Sequence, residues 1–106
     1  MADHNDLGNY GEKLALEYLV SKGYKILETN WQFMHKEIDI IALKAPFIVI
    51  VEVKTRRTNY FGEPFMFVNN AKQKHLIKAA DAYITRFNIQ EEARFDIISV
   101  LAAFSR

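Results

Sequence analysis

The sequence contains no cysteine. That excludes a disulfide framework and a thiolate zinc site, and it fits a reducing cytoplasm, the location expected here. Long apolar runs are missing as well. None approaches the roughly 20 residues needed to cross a bilayer. The polar start, MADHNDLGNYGEK, lacks the basic-then-apolar order of a secretory signal. No membrane partner is expected. Nor is there an excess of one charge: 14 Lys and Arg stand against 13 Asp and Glu, a formal net charge of +1. A strongly basic coat for nucleic acid is therefore excluded. A local basic patch is not, because acidic catalytic residues would cancel it in the sum. No internal repeat, low-complexity tract or linker interrupts the chain.

What is present is a hydrophobic half and a charged quarter in 106 residues. This is enough for one domain, residues 1–106, with a core of its own. Leu7, Tyr10, Leu14, Tyr18 and Leu19 recur at helical spacing, which predicts a helix from about Asp6 to Lys22 with Gly23 as its C′ residue. KILETNWQF reads as extended. EIDIIAL, Glu37 to Leu43, and FIVIVEVKT read as strands joined by the short connection at Ala45 and Pro46, hence an antiparallel hairpin. RRTNYFGEPF reads as a loop. A second helix is expected from Asn70 to Arg86, capped by Asn69 or Asn70, with Leu76, Ala80, Tyr83, Ile84 and Phe87 on one face. RFDIISVL closes the series. The order α-β-β-β-α-β predicts an α/β fold with helices flanking one mixed sheet of about four strands.

The hairpin carries charges where a core strand should not. In FIVIVEVKTRR, Phe47 to Arg57, period-two alternation puts Ile48, Ile50, Glu52 and Lys54 on one face. On the preceding strand Glu37, Asp39, Ile41 and Leu43 share a face. A two-residue connection then sets Leu43 opposite Ile48, Ile41 opposite Ile50, Asp39 opposite Glu52 and Glu37 opposite Lys54. All four charges fall at one end of one face, and a one-residue slip would scatter them. Like charges facing each other destabilise a sheet. A shared proton or a divalent cation removes that penalty. Carboxylate oxygens suit Mg2+ or Mn2+, and no cysteine or histidine cluster points to a softer metal. The alternative is a strand end running into water, with Glu37 and Lys54 as an ordinary cross-strand pair.

Both helices add polar residues near this end. Glu12 lies on the side of Ala15, Leu16 and Leu19, next to Gly11, which costs helix stability and suggests close approach of another backbone or a ligand. Lys72 and Gln73 precede the apolar face of the second helix, where spacing alone favours a solvated first turn. Together Glu12, Asp39, Glu52 and Lys54 could bind magnesium and hydrolyse a phosphodiester. Lys54 would orient water and stabilise charge. Arg56, Arg57, Lys72, Lys74 and Lys78 could hold flanking phosphates, or form a solvated face.

EID followed by EVK resembles the motif of the PD-(D/E)xK nuclease superfamily. In detail the chain looks like the YraN family, small bacterial proteins similar to archaeal Holliday-junction resolvases. GEKLALEYL, KGYKILETNW, EIDIIAL, VEVKTR, FGEP, KQKHLIKAADAYI and RFDIISV carry the resemblance over nearly the whole chain. It implies a restriction-endonuclease-like core and an endonuclease acting on DNA, with Mg2+ or Mn2+ as cofactor and a homodimer as a plausible assembly. It further implies Asp39 and Glu52 as metal ligands, Lys54 as the catalytic lysine and Glu12 as the helical glutamate. Glu37 matches the glutamate before the Ile-Asp pair, and Lys72, or Gln73 in its place, a polar residue of the second helix. Family members usually continue past FDIISV with a further strand, whereas this chain goes to LAAFSR, so an altered last sheet edge is expected. The rival expectation is a nucleic-acid-binding or protein-interaction module on the same fold that does no chemistry.

Overall fold

The computed structural model describes residues 4–57 and 70–102. Helix α1 spans His4–Ser21, strand β1 Lys25–Phe33, β2 Lys36–Lys44, β3 Phe47–Arg57, helix α2 Asn70–Arg86 and strand β4 Glu92–Ala102. This is the expected α/β order. The strands form one mixed sheet in the spatial order β1-β2-β3-β4, antiparallel except for the parallel pair β3 and β4. The turn expected around residues 58–65 and the capping side chain at Asn69 or Asn70 lie outside the described residues.

Two apolar layers hold the helices on opposite faces. Ala15 and Leu19 of α1 pack with Ile40, Ala42, Val49 and Val51. Ala79, Ala80 and Tyr83 of α2 pack with Ile38, Ile41, Ile48 and Ile50. The run Ile48–Val51 is apolar without alternation because a central strand covered on both sides has no wet face, and each of these four residues is at most 1% exposed. Each such side chain contributes about 1.5–3 kcal/mol by leaving water. The run therefore anchors the strand that presents Glu52 and Lys54.

The buried stripe of α1 differs from the expected one. Tyr10, Leu14 and Tyr18 are exposed, and Gly11, Ala15 and Leu19 face the sheet. The reason is distance: a Cβ on Gly11 would come within 2.9 Å of Thr55 Cβ, and it would overlap Thr55 Oγ1. Small residues bring α1 close to the end of β3. The close approach at Gly11 is thus made by the Thr55 side chain of β3, not by the backbone or ligand expected. Beyond Ser21 the chain turns at Gly23, with φ +88°. Tyr24 N–H donates to Leu19 O and Gly23 N–H to Val20 O, each at 3.0 Å, the paired bonds of a glycine-terminated helix.

Strand β3 is longer than expected. Arg56 and Arg57 belong to it, not to a loop, because β4 runs alongside in parallel and pairs them with Leu101 and Ala102.

The hairpin register is the expected one near its turn: Leu43 pairs with Ile48 and Ile41 with Ile50. The ladder reaches only Ile40 and Val51. Past that point Asp39 Oδ2 accepts the Val53 N–H at 2.8 Å, so a side chain takes the place of the backbone acceptor. Alternation in β2 also breaks there. Ile38 and Ile41 both pack on the α2 side, while Ile40 packs on the α1 side, although a regular strand keeps Ile38 and Ile40 together. The expectation that Glu37 and Asp39 share the face of Ile41 and Leu43 is therefore corrected. In β1, Asn30 falls between the pairs Thr29–Ile40 and Trp31–Ile38, opposite Asp39, and adopts φ 52°. Both strands are irregular at this one level, and Asp39 stands where the β2–β3 ladder ends.

Candidate active site at the end of the hairpin

Glu52 is the most constrained charged group of the site. It follows Ile50 on the α2 side of β3 and is 5% exposed. Its Oε2 lies 2.5 Å from Lys72 Nζ and 3.5 Å from Lys54 Nζ. Its Oε1 is buried and has no hydrogen-bond partner among the described residues. A buried carboxylate oxygen left unpaired is costly, roughly 1–3 kcal/mol or more for a charged group. Such an atom calls for an explanation, and its chemistry suits a bond to a hard cation.

Asp39 is the second carboxylate. Burial pushes its pKa up from 3.8 to about 6; the Val53 N–H pulls it down, and the negative charges of Glu52 and Glu12 push it further up. The three acids therefore share one field, as their types and positions in the sequence suggested. Glu12 is half-buried on α1 and accepts a hydrogen bond from Asn30 Nδ2 at 3.2 Å.

The lysines divide the work differently. Burial lowers the pKa of Lys54, and the neighbouring Lys72 lowers it further. Burial alone would also lower Lys72, but its hydrogen bond to Glu52 and the charges of Glu52 and Asp39 prevail and raise it. Of the two, Lys72 is the firmer cation and Lys54 the more readily neutral amine.

Asp39 lines two clefts. One, of about 460 Å3, lies between the β1–β2 hairpin and α2, with Glu37, Glu52, Lys72, His35, Lys36 and His75 around it. The other, of about 300 Å3, lies against α1, with Glu12, Lys54 and Arg56 in its walls. The site thus opens on both sides of the sheet's end.

The remaining expected residues are placed as follows. Glu37 is exposed and lies beyond the β2–β3 ladder; the ion-pair partner of Lys54 is Glu52. Gln73 is exposed and lines a smaller apolar groove with Glu52 and Leu76. Arg56 donates to its neighbour's carbonyl, Thr55 O, at 2.9 Å. Arg57, Lys74 and Lys78 are exposed. Three residues of the site were missed from sequence: Asn30, His35 and His75. Nothing in periodicity marks Asn30; only its tolerance of positive φ hints at it.

The donor set is hard. Glu52 and Asp39 offer oxygens of the kind that bind Mg2+ or Mn2+, and the orphaned Glu52 Oε1 leaves room for an ion's bond. Among the described residues no three carboxylates or imidazoles converge to enclose an ion by themselves. Two carboxylates with water completing the shell is the ordinary magnesium arrangement, so these residues fit that cation.

The family model described as Uncharacterised protein family UPF0102 matches residues 11–100, a span that takes in every acidic and basic residue of this site. The chain belongs to this family. It is the YraN family to which the motifs pointed. A UPF0102 protein of Flavobacterium psychrophilum is 55% identical over 100 residues, which covers 94% of this chain and 84% of the relative. UPF0102 proteins of Parabacteroides distasonis and Thermodesulfovibrio yellowstonii are 45% and 50% identical over 101 and 95 residues. These cover 95% and 90% of this chain, and 84% and 85% of the relatives. No helix among the described residues is long and apolar enough to cross a membrane.

Proposed function

We propose that this UPF0102 chain is a divalent-cation-dependent endonuclease that hydrolyses DNA phosphodiesters at branched or single-stranded structures. The observation that carries the reading is Glu52, a carboxylate held by a buried strand with one oxygen unpaired among the described residues. Asp39 beside it carries a charge that the fold makes costly, as a metal ligand awaiting its ion would. The DNA assignment draws on the resemblance of the EID and EVK segments to the nuclease motif.

Asp39 and Glu52 would hold Mg2+ or Mn2+. When bound, the ion supplies an activated water and neutralises charge on the phosphodiester oxygens. Lys54, whose pKa burial lowers, would orient a water and hold or give up a proton at Nζ. Glu12, steered by Asn30, adds negative field on the α1 side. Arg56, Arg57 and Lys74 hold flanking phosphates. Two opposed nicks need two copies, so a homodimer belongs to this reading.

The test is incubation with Mg2+ or Mn2+ and a panel of duplex, flap, single-stranded and four-way DNA. Nicking that is lost with chelator and in Glu52→Gln supports the reading. No nicking of any substrate, or undiminished nicking by Glu52→Gln, overturns it.

One observation favours a second reading, a binding module without chemistry. Glu52 Oε2 already has two lysines, a network that holds together without an ion. That reading expects DNA binding without metal, unchanged by Asp39→Asn and Glu52→Gln.

A further inference from the structure

We infer that Lys72 is the resident counter-ion of this site, that a divalent cation binds Glu52 by displacing the Lys72 ammonium, and that Lys72 thereby sets the affinity for the metal. The inference rests on the proposed metal site. Its own ground is the geometry of the two lysines. Both reach the same oxygen, Glu52 Oε2, but Lys72 is closer, at 2.5 Å against 3.5 Å. An ammonium that close to Oε2 repels a divalent ion bonded to the other oxygen, Oε1, and stands where an ion held by both oxygens would make its second bond.

The two lysines differ in freedom. Lys54 is rooted in β3 with a side chain 16% exposed, whereas that of Lys72 is 38% exposed, on the first turn of α2 beside a cleft. Lys72 can leave Glu52 and remain solvated, whereas Lys54 is the more enclosed of the two. The cleft that would receive the released ammonium is lined by Glu37 and Asp39 as well as by His35, Lys36 and His75. The exposed Glu37 carboxylate offers that ammonium a new partner there.

Charge arithmetic supports exchange over addition. Two ammoniums and a divalent ion around one carboxylate would place four positive charges against Glu52, with Asp39 and Glu12 to balance them. Releasing Lys72 to the cleft relieves that excess.

The test is calorimetric titration of Mn2+ into the full chain, with no DNA present, for wild type, Lys72→Met, Lys72→Gln and the control Lys25→Met, at an exposed residue of β1. A charge-assisted contact of this kind corresponds to about a tenfold change in Kd. The expected result is about tenfold tighter Mn2+ binding by Lys72→Met and Lys72→Gln, with Lys25→Met within about twofold of wild type. Mn2+ binding by wild type with no tightening in either Lys72 variant relative to Lys25→Met overturns the exchange and leaves the metal site standing. No Mn2+ binding by any variant overturns both.

Discussion

Asp39 Oδ2 and the Val53 N–H are joined at 2.8 Å at the level where the β2–β3 ladder stops. A ligand-type carboxylate thus does the work of a backbone carbonyl and ties the site to the fold. Asp39→Ala should leave the Val53 N–H without its partner and cost about 1–3 kcal/mol. Asp39→Asn keeps an acceptor and should avoid that loss. Urea unfolding of the two variants compares them; equal destabilisation by both would contradict the role given to this bond.

The same residue sets a pH dependence. Its folded-state pKa is raised from 3.8 to about 6, chiefly by burial. Below 3.8 both states carry the proton and its contribution is level. Between 3.8 and about 6 only the folded state keeps it, so stability falls as pH rises through this window. Above about 6 the folded protein bears an ionised Asp39 at a cost. In Asp39→Asn this decline should flatten, which thermal melts at a series of pH values would show. Mn2+ affinity should move the other way and weaken as pH drops through about 6, because proton and metal compete for the carboxylate.

Gly11→Ala should destabilise through contact with Thr55, which lies within 3.0 Å of the added methyl at both Cβ and Cγ2. Overpacking of this kind costs about 1–3 kcal/mol. The penalty should shrink in a Thr55→Gly background, and a double-mutant cycle by chemical denaturation measures that coupling. An additive cycle would place the strain elsewhere.

Asn30→Ala loses both the hydrogen bond to Glu12 and a residue tolerant of φ 52°. The left-handed backbone alone costs a side chain such as alanine about 1–2 kcal/mol. Asn30→Gly keeps the backbone and loses only the hydrogen bond. Its stability should stay closer to wild type than that of Asn30→Ala, and unfolding of both variants checks the order.

Much of this was legible in the sequence. The unbroken apolar run from Phe47 to Val51 announces a strand covered on both sides, and Glu52 and Lys54 at its end announce a site. The two-residue connection at Ala45 and Pro46 set the register from Leu43–Ile48 to Ile41–Ile50. Alternation failed at Asp39, because a rule of period two assumes that the ladder continues, and here a side chain ends it. The buried stripe of α1 was misjudged for a related reason. Tyr10, Leu14 and Tyr18 satisfy helical spacing, but helix-to-sheet distance selects Gly11, Ala15 and Leu19, and that distance is a tertiary property. The extension of β3 through Arg57 depends on a partner 45 residues later, Ala102, which no local pattern contains. Asn30, His35 and His75 converge on the site only once the strands and α2 are assembled.

The central claim is that Asp39 and Glu52 share one divalent cation. Crystals soaked in Mn2+ and measured at the manganese absorption edge test it most directly. The account predicts one anomalous peak between the two carboxylates, with Glu52 Oε1 among its ligands and the Lys72 ammonium withdrawn into the cleft of His35 and His75. Full-occupancy soaking that leaves no peak there, with Lys72 still on Glu52, would contradict it.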